Sequence, residues 1–135
     1  MITAADVFVY LGNLFRVLKE AVDLISRSCS SHTCSQAYAQ PILNCSGIII
    51  FTIEALEPYL NVSRIVNTLE GHQSVDTSAY FSLQTSGRYA HSKEYILKTT
   101  KSLPGVSIEH MEEVVLRENN GVDVKGYIVS LSVNA

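Results

Sequence analysis

Seven residues near the middle of the chain, Gly47-Ile-Ile-Ile-Phe-Thr-Ile53, constrain the fold more than any others. Three consecutive isoleucines followed by Phe and Thr favour extended backbone. The run lacks polar alternation, so it reads as a strand covered on both faces. Such a strand sits in a sheet with helices packed against it, which makes the expected class α/β. The run falls far short of the roughly 20 apolar residues that cross a bilayer, so no transmembrane helix is expected.

The flanking sequence supplies the partners. Residues 2–11, Ile-Thr-Ala-Ala-Asp-Val-Phe-Val-Tyr-Leu, read as another buried strand ending at Gly12. Asn13 can cap a helix whose apolar positions Leu14, Leu18, Ala21, Val22 and Ile25 recur at three- and four-residue steps, to about Ser26. From about 27 to 46 no period holds, and a loop or insertion is expected. A second irregular stretch covers about 58–80, with one short helix between Ser63 and Gly71. Ser92 precedes a helical pattern through Tyr95, Ile96, Thr99 and Leu103, which Pro104-Gly105 stops. A strand from Val106 to about His110 follows, then the Val114-Val115-Leu116 run. After the turn signal Asn119-Asn120-Gly121, Tyr127, Val129, Leu131 and Val133 share one face, so the chain closes on a β-hairpin.

Composition bounds the function. With 135 residues, 47% apolar and 17% charged, the chain has material for a single domain (1–135) and is too apolar for disorder. A net charge of −3 argues against nucleic acid as a partner. Residues 1–6 carry no basic lead-in, and Asp6 interrupts the apolar run a signal peptide needs, so a cytoplasmic setting is expected. In that setting the three cysteines read as reduced thiols, and the Asn44 and Asn61 sequons carry no weight. Cys29, His32, Cys34 and Cys45 match no ordinary zinc spacing, and no metal is expected. The nucleotide-loop, dinucleotide-loop, hydrolase-elbow and zinc-protease motifs are all missing from the sequence.

The chemistry-bearing stretch is Ser86-Gly-Arg-Tyr-Ala-His-Ser92, set before a helix start. Arg88 supplies a two-pronged donor, Tyr89 a hydroxyl, and His91 a group that titrates near neutrality, so the stretch reads as a ligand-facing loop. A structural alternative stands beside it: Arg88 pairs with Glu54 or Asp6, Tyr89 packs in the core, and His91 and Ser92 close the helix start. Glu54 ends the central strand, where open parallel sheets bind ligands. Asp6 must find a donor or stand at the sheet's rim.

Four strings occur in order: Ile2-Thr-Ala-Ala-Asp-Val-Phe-Val-Tyr-Leu-Gly12, Phe51-Thr-Ile-Glu54, Ser86-Gly-Arg-Tyr-Ala-His-Ser92 and Val115-Leu-Arg-Glu118. In these the chain resembles class I S-adenosylmethionine-dependent methyltransferases, specifically the predicted methyltransferases often fused to tetratricopeptide repeats. The resemblance implies part of a Rossmann-like sheet, with strands like the family's four, five, six and seven, flanking helices and a closing antiparallel hairpin. The resemblance covers only the carboxyl-terminal half of a methyltransferase-like fold, since nothing matches the Gly-rich loop or the ribose-holding carboxylate. In a complete family member the cofactor is S-adenosylmethionine; the chain by itself is expected to bind none and to be inactive.

The resemblance places Asp6, Phe8 and Tyr10 toward the cofactor, with Arg88 and Tyr89 at the substrate. It also sets Glu54 and His91 at the border of the pocket for an acceptor of unknown identity without assigning a base among them, and these two are the catalytic candidates. Where the family has a short Pro-Gly-Gly link, this chain has the irregular stretch 27–46. A non-catalytic interaction or scaffold module derived from a methyltransferase is the alternative function. The open edge of the N-terminal strand leads to an expected homo-oligomer.

Overall fold

The structure, a computed structural model, describes residues 1–31, 46–56 and 80–134. Its centre is β2 (Ser46–Ala55), the strand the isoleucine run nucleates. One whole edge of β2, Ser46 to Glu54, pairs antiparallel with β6 (Val122–Asn134). The other edge is shared by two short strands, both parallel to it. First β1 (Ile2–Ala4) pairs along Ile49–Phe51, then β4 (Tyr89–His91) pairs at Glu54 and Ala55. Outside β4 lies β3 (Phe81–Leu83), and outside β6 lies β5 (Val106–Asn119), both antiparallel to their neighbours. The result is a mixed six-stranded sheet with helices α1 (Phe15–Ser31) and α2 (Lys93–Lys101), an α/β fold.

Both helices pack on the same sheet face. Leu14, Leu18, Val22 and Ile25 of the α1 side and Tyr95 and Ile96 of α2 join Ile49, Phe51, Ile53, Val129, Leu131 and Val133 in one core. The apolar stripe of α1 is therefore the one the sequence spacing predicts. Asn13 Oδ1 accepts from the Phe15 amide at 3.0 Å, so the predicted cap is present. Ser92 Oγ accepts from the Tyr95 amide at 3.1 Å and starts α2.

The opposite face carries the other half of each pleat, with Ile48 beside Ser132, Ile50 beside Ser130 and Thr52 beside Ile128. Among the described residues no helix covers it, and Ile48 is 44% exposed. Among the described residues, then, the expectation of a central strand covered on both faces is not met: Ile49 lies in the core, while Ile48 is exposed and Ile50 half-buried.

The structure differs from the sequence reading at four further points. The first strand ends at Ala4 rather than running to Leu11, because Asp6 takes a left-handed φ of 53° and donates its amide to Thr52 Oγ1 at 3.1 Å. The chain then makes a 3-10 turn, Phe8–Tyr10, that drives Phe8 against Phe51 with ring centroids 5.0 Å apart. Helix α1 continues past Ser26 to Ser31, so the irregular stretch does not begin at 27. Tyr89–His91 is a strand rather than loop, closed by a turn in which the Gln84 amide donates to Arg88 O at 2.7 Å. Lastly, Val106–His110 and Val114–Leu116 belong to one continuous β5, whose pairing with β6 shifts register between Ile108 and His110 and between Val115 and Arg117. The predicted short helix between Ser63 and Gly71, most of the stretch 58–80, and His32, Cys34 and Cys45 lie outside the described residues.

Candidate functional site

Because β1 and β4 share an edge of β2 and run in the same direction, the chain leaving β1 meets the chain entering β4. Asp6 lies two residues beyond Ala4, and Arg88 immediately precedes Tyr89. Their side chains close the junction: Arg88 Nη1 donates to Asp6 Oδ1 at 2.8 Å, and Nη2 lies 3.5 Å from Oδ2. Arg88 also sits 5.4 Å from the centre of the Tyr10 ring.

Beneath this pair is Glu54, 4% exposed, at the carboxyl end of β2. Its Oε1 accepts from Arg117 Nε at 3.2 Å and Nη2 at 2.9 Å, and Arg88 Nη1 is 3.6 Å away. Burying a carboxylate is costly unless donors and opposite charge surround it, and the two guanidiniums supply both. Burial works against the charge on Arg88, but Asp6, Tyr10 and Glu54 outweigh it and raise its pKa. Two cavities open on the cluster. One of about 280 Å³ is lined by Ala5, Asp6, Thr52, Arg88, Leu116 and Arg117. The other, about 230 Å³, lies on the far side of Arg117 and reaches Gln84, Ser86, Asp123 and Lys125.

Arg117 is the residue that sequence reasoning missed. It lies within the Val115-Leu-Arg-Glu118 string, but its role depends on a register irregularity between Val115 and Arg117 and on a partner 63 positions away. No local pattern in the sequence signals that contact.

His91 has a different environment. Register pairs Ala90 with Glu54, so the next residue, His91, projects to the opposite, helix-bearing face. Glu54 and His91 are thus separated by the sheet and do not form a direct acid–base pair. His91 is fully buried, stacked on Tyr95 at 5.8 Å and packed on Phe81, with Nε2 3.0 Å from Gly12 O. Burial is the larger influence on its pKa and lowers it, despite opposing hydrogen bonds to Gly12 and Leu11. The neutral ring therefore donates Nε2–H to Gly12, and among the described residues Nδ1 has no partner. A Cβ at Gly12 would lie 2.7 Å from Phe81 and 2.9 Å from Tyr89, so only Gly permits this close approach.

The remaining predicted residues divide in the same way. Asp6, Arg88 and Glu54 meet in one cluster, with Tyr10 at its exposed side. Tyr89 packs edge-on to Phe81 with centroids 6.1 Å apart, and Phe8 is in the core. Arg88 pairs with Asp6 and approaches Glu54, and Ser92 caps α2, as the structural alternative has it.

Of the residues the resemblance places toward the cofactor, Phe8 packs on Phe51, and the Asp6 carboxylate pairs with Arg88 while its side chain stays 64% exposed. Among the described residues no group of three or more His, Cys, Asp or Glu side chains could hold a metal ion, and no helix is long and apolar enough to cross a membrane. No protein-family model matches the chain, and no curated protein matches it significantly.

Proposed function

We propose that this chain is the acceptor-side half of a class I S-adenosylmethionine-dependent methyltransferase-like sheet. The observation that carries the reading is the order of elements around β2. Two parallel strands, β1 and β2, are joined through α1; the short pair β3 and β4 and then α2 follow, and the chain ends in an antiparallel hairpin whose last strand pairs with β2. Apart from β3 and β4, that is the order implied by a resemblance to the family's strands four to seven. The rim cluster of Asp6, Arg88, Glu54 and Arg117 lies at the carboxyl end of β2, where an open α/β sheet presents its ligand crevice. Within this reading the chain positions the acceptor, the methyl donor is held by other residues, and the isolated chain neither binds the cofactor nor turns over.

The test is made on the native protein. An antibody raised against this chain is used to isolate it from its own cell, followed by intact mass measurement and photolabelling with radiolabelled S-adenosylmethionine. The reading expects a species that takes up the label. A native protein of 14.9 kDa that takes up none overturns it.

The non-catalytic scaffold is the second reading, and one observation favours it: Glu54, the best-placed carboxylate, is consumed by its two arginines. Both readings include self-association through β1, whose far edge is unpaired among the described residues and bears only Ile2, Thr3 and Ala4. The outer edge of the long strand β5 is protected by Glu109, His110, Glu112, Glu113 and two register irregularities. Light scattering at tens of micromolar is expected to give twice 14.9 kDa, and a monodisperse monomer refutes the association.

A further inference from the structure

The charges at the junction balance in an unusual way. Glu54, with its side chain 5% exposed, lies between two guanidiniums and can neutralise one of them. The second positive charge is matched by Asp6, whose side chain is 64% exposed and whose backbone is held at a φ of 53°. Exposed ion pairs contribute little, because water competes for both partners. Asp6 is therefore a weakly held counter-charge to a well-held cation, since Arg88 is 22% exposed, stacked near Tyr10 and lining the 280 Å³ cavity. The geometry of the Asp6 contact also shows what the cation accepts: a planar carboxylate laid along the Nη1–Nη2 edge.

We infer that this cavity is a binding site for the carboxylate of a small organic acid, with Arg88 and Arg117 as its anchors and Asp6 as the internal stand-in that the ligand displaces. Arg88 offers the fork now taken by Asp6. Arg117 gives two of its five N–H groups to Glu54 and contributes positive charge to the same wall. Thr52 adds a hydroxyl, now accepting the Asp6 amide, and Leu116 an apolar surface for the body of the ligand. The site occupies the rim that the proposed function gives to the acceptor, but the inference rests on charge balance and cavity geometry and stands without methyl transfer.

The experiment uses the full chain and succinate at constant ionic strength and pH, followed through the side-chain N–H signals of the arginines by NMR, with no methyl donor present. Saturable shifts at Arg88 and Arg117 are expected. Asp6→Asn removes the competing charge while keeping a residue type that tolerates left-handed φ, and is expected to tighten succinate about fivefold, the equivalent of one weak exposed pair. Asp6→Gly, which adopts the same φ without a side chain, is the second variant and should tighten it similarly. Arg88→Gln is expected to abolish the saturable component. Shifts that grow linearly without saturating, or Asp6 variants that bind succinate no tighter than the parent, overturn the inference. Photolabelling of the native protein by S-adenosylmethionine reports on the transferase reading separately.

Discussion

Glu54→Gln removes the charge at the centre of the rim while preserving the shape of the side chain. In the parent, Glu54 Oε1 receives two N–H groups from Arg117 at 3.2 and 2.9 Å, with Arg88 at 3.6 Å. A hydrogen bond to a charged group contributes about 1.5–3 kcal/mol, and breaking a buried ion pair costs about 3–5 kcal/mol. The Arg117 and Arg88 side chains retain 28% and 22% exposure, so water recovers part of that loss when their partner goes. A cost of about 2 kcal/mol is expected for Glu54→Gln. Arg117→Met instead takes both donated hydrogen bonds from the carboxylate, leaving it only the 3.6 Å approach of Arg88, and the carboxylate is the more buried partner, so about 3 kcal/mol is expected. With both changes, no stranded charge adds to the first loss, and the double variant should sit about 3 kcal/mol below the parent rather than at the sum of about 5. Urea unfolding followed by circular dichroism, with a common slope for the four proteins, measures the cycle. A double variant within about 0.5 kcal/mol of the sum would show that Glu54 and Arg117 do not act as a pair.

Three further outcomes follow from individual contacts. At Gly126 an added Cβ would overlap the Leu116 side chain and the Ile53 carbonyl, so Gly126→Ala should cost about 3 kcal/mol in thermal or urea unfolding. Gly121→Ala, in open space but at a φ of 78°, should cost only about 1 kcal/mol, and equal losses at the two sites would contradict the packing account. His91 is neutral in the fold because burial lowers its pKa below the ordinary 6.5. On acidification the unfolded chain takes up its proton first, so the His91 contribution is fully present above about pH 6.5 and is lost as pH falls toward the depressed value. Urea midpoints measured downward from pH 7 should show this slope in the parent and a flatter one in His91→Phe; the same slope in both would remove His91 as its source. Ser92→Ala deletes the acceptor for the Tyr95 amide and should cost about 1 kcal/mol, with hydrogen exchange accelerated in the first turn of α2 if the cap acts as described.

Much of the architecture was legible locally. The isoleucine run located the central strand, the Leu14–Leu18–Val22–Ile25 spacing located the buried stripe of α1, and Ser92 and Asn120-Gly121 marked a cap and a turn. Each of these signals is carried by neighbouring residues through pleat, helical period or backbone preference. The Ile2–Leu11 run failed as a guide because Ile, Val and Phe there suit either a strand or a buried turn. The Asp6 contacts with Thr52 and Arg88, 46 and 82 positions away, select the turn. The short β3 and β4 were illegible for the same reason, since Tyr89–His91 becomes a strand by finding the free end of the β2 edge.

By itself, the sequence determined the class of fold, which faces of the main helices are buried and which residues carry charge near the middle of the chain, because these follow from composition and short-range periodicity. Tertiary structure alone decided that Glu54 and His91 stand on opposite faces, that Arg117 completes the rim and that β1 and β4 meet end to end. Those outcomes depend on strand register, where a shift of one residue exchanges the two faces, and on pairing between segments far apart along the chain.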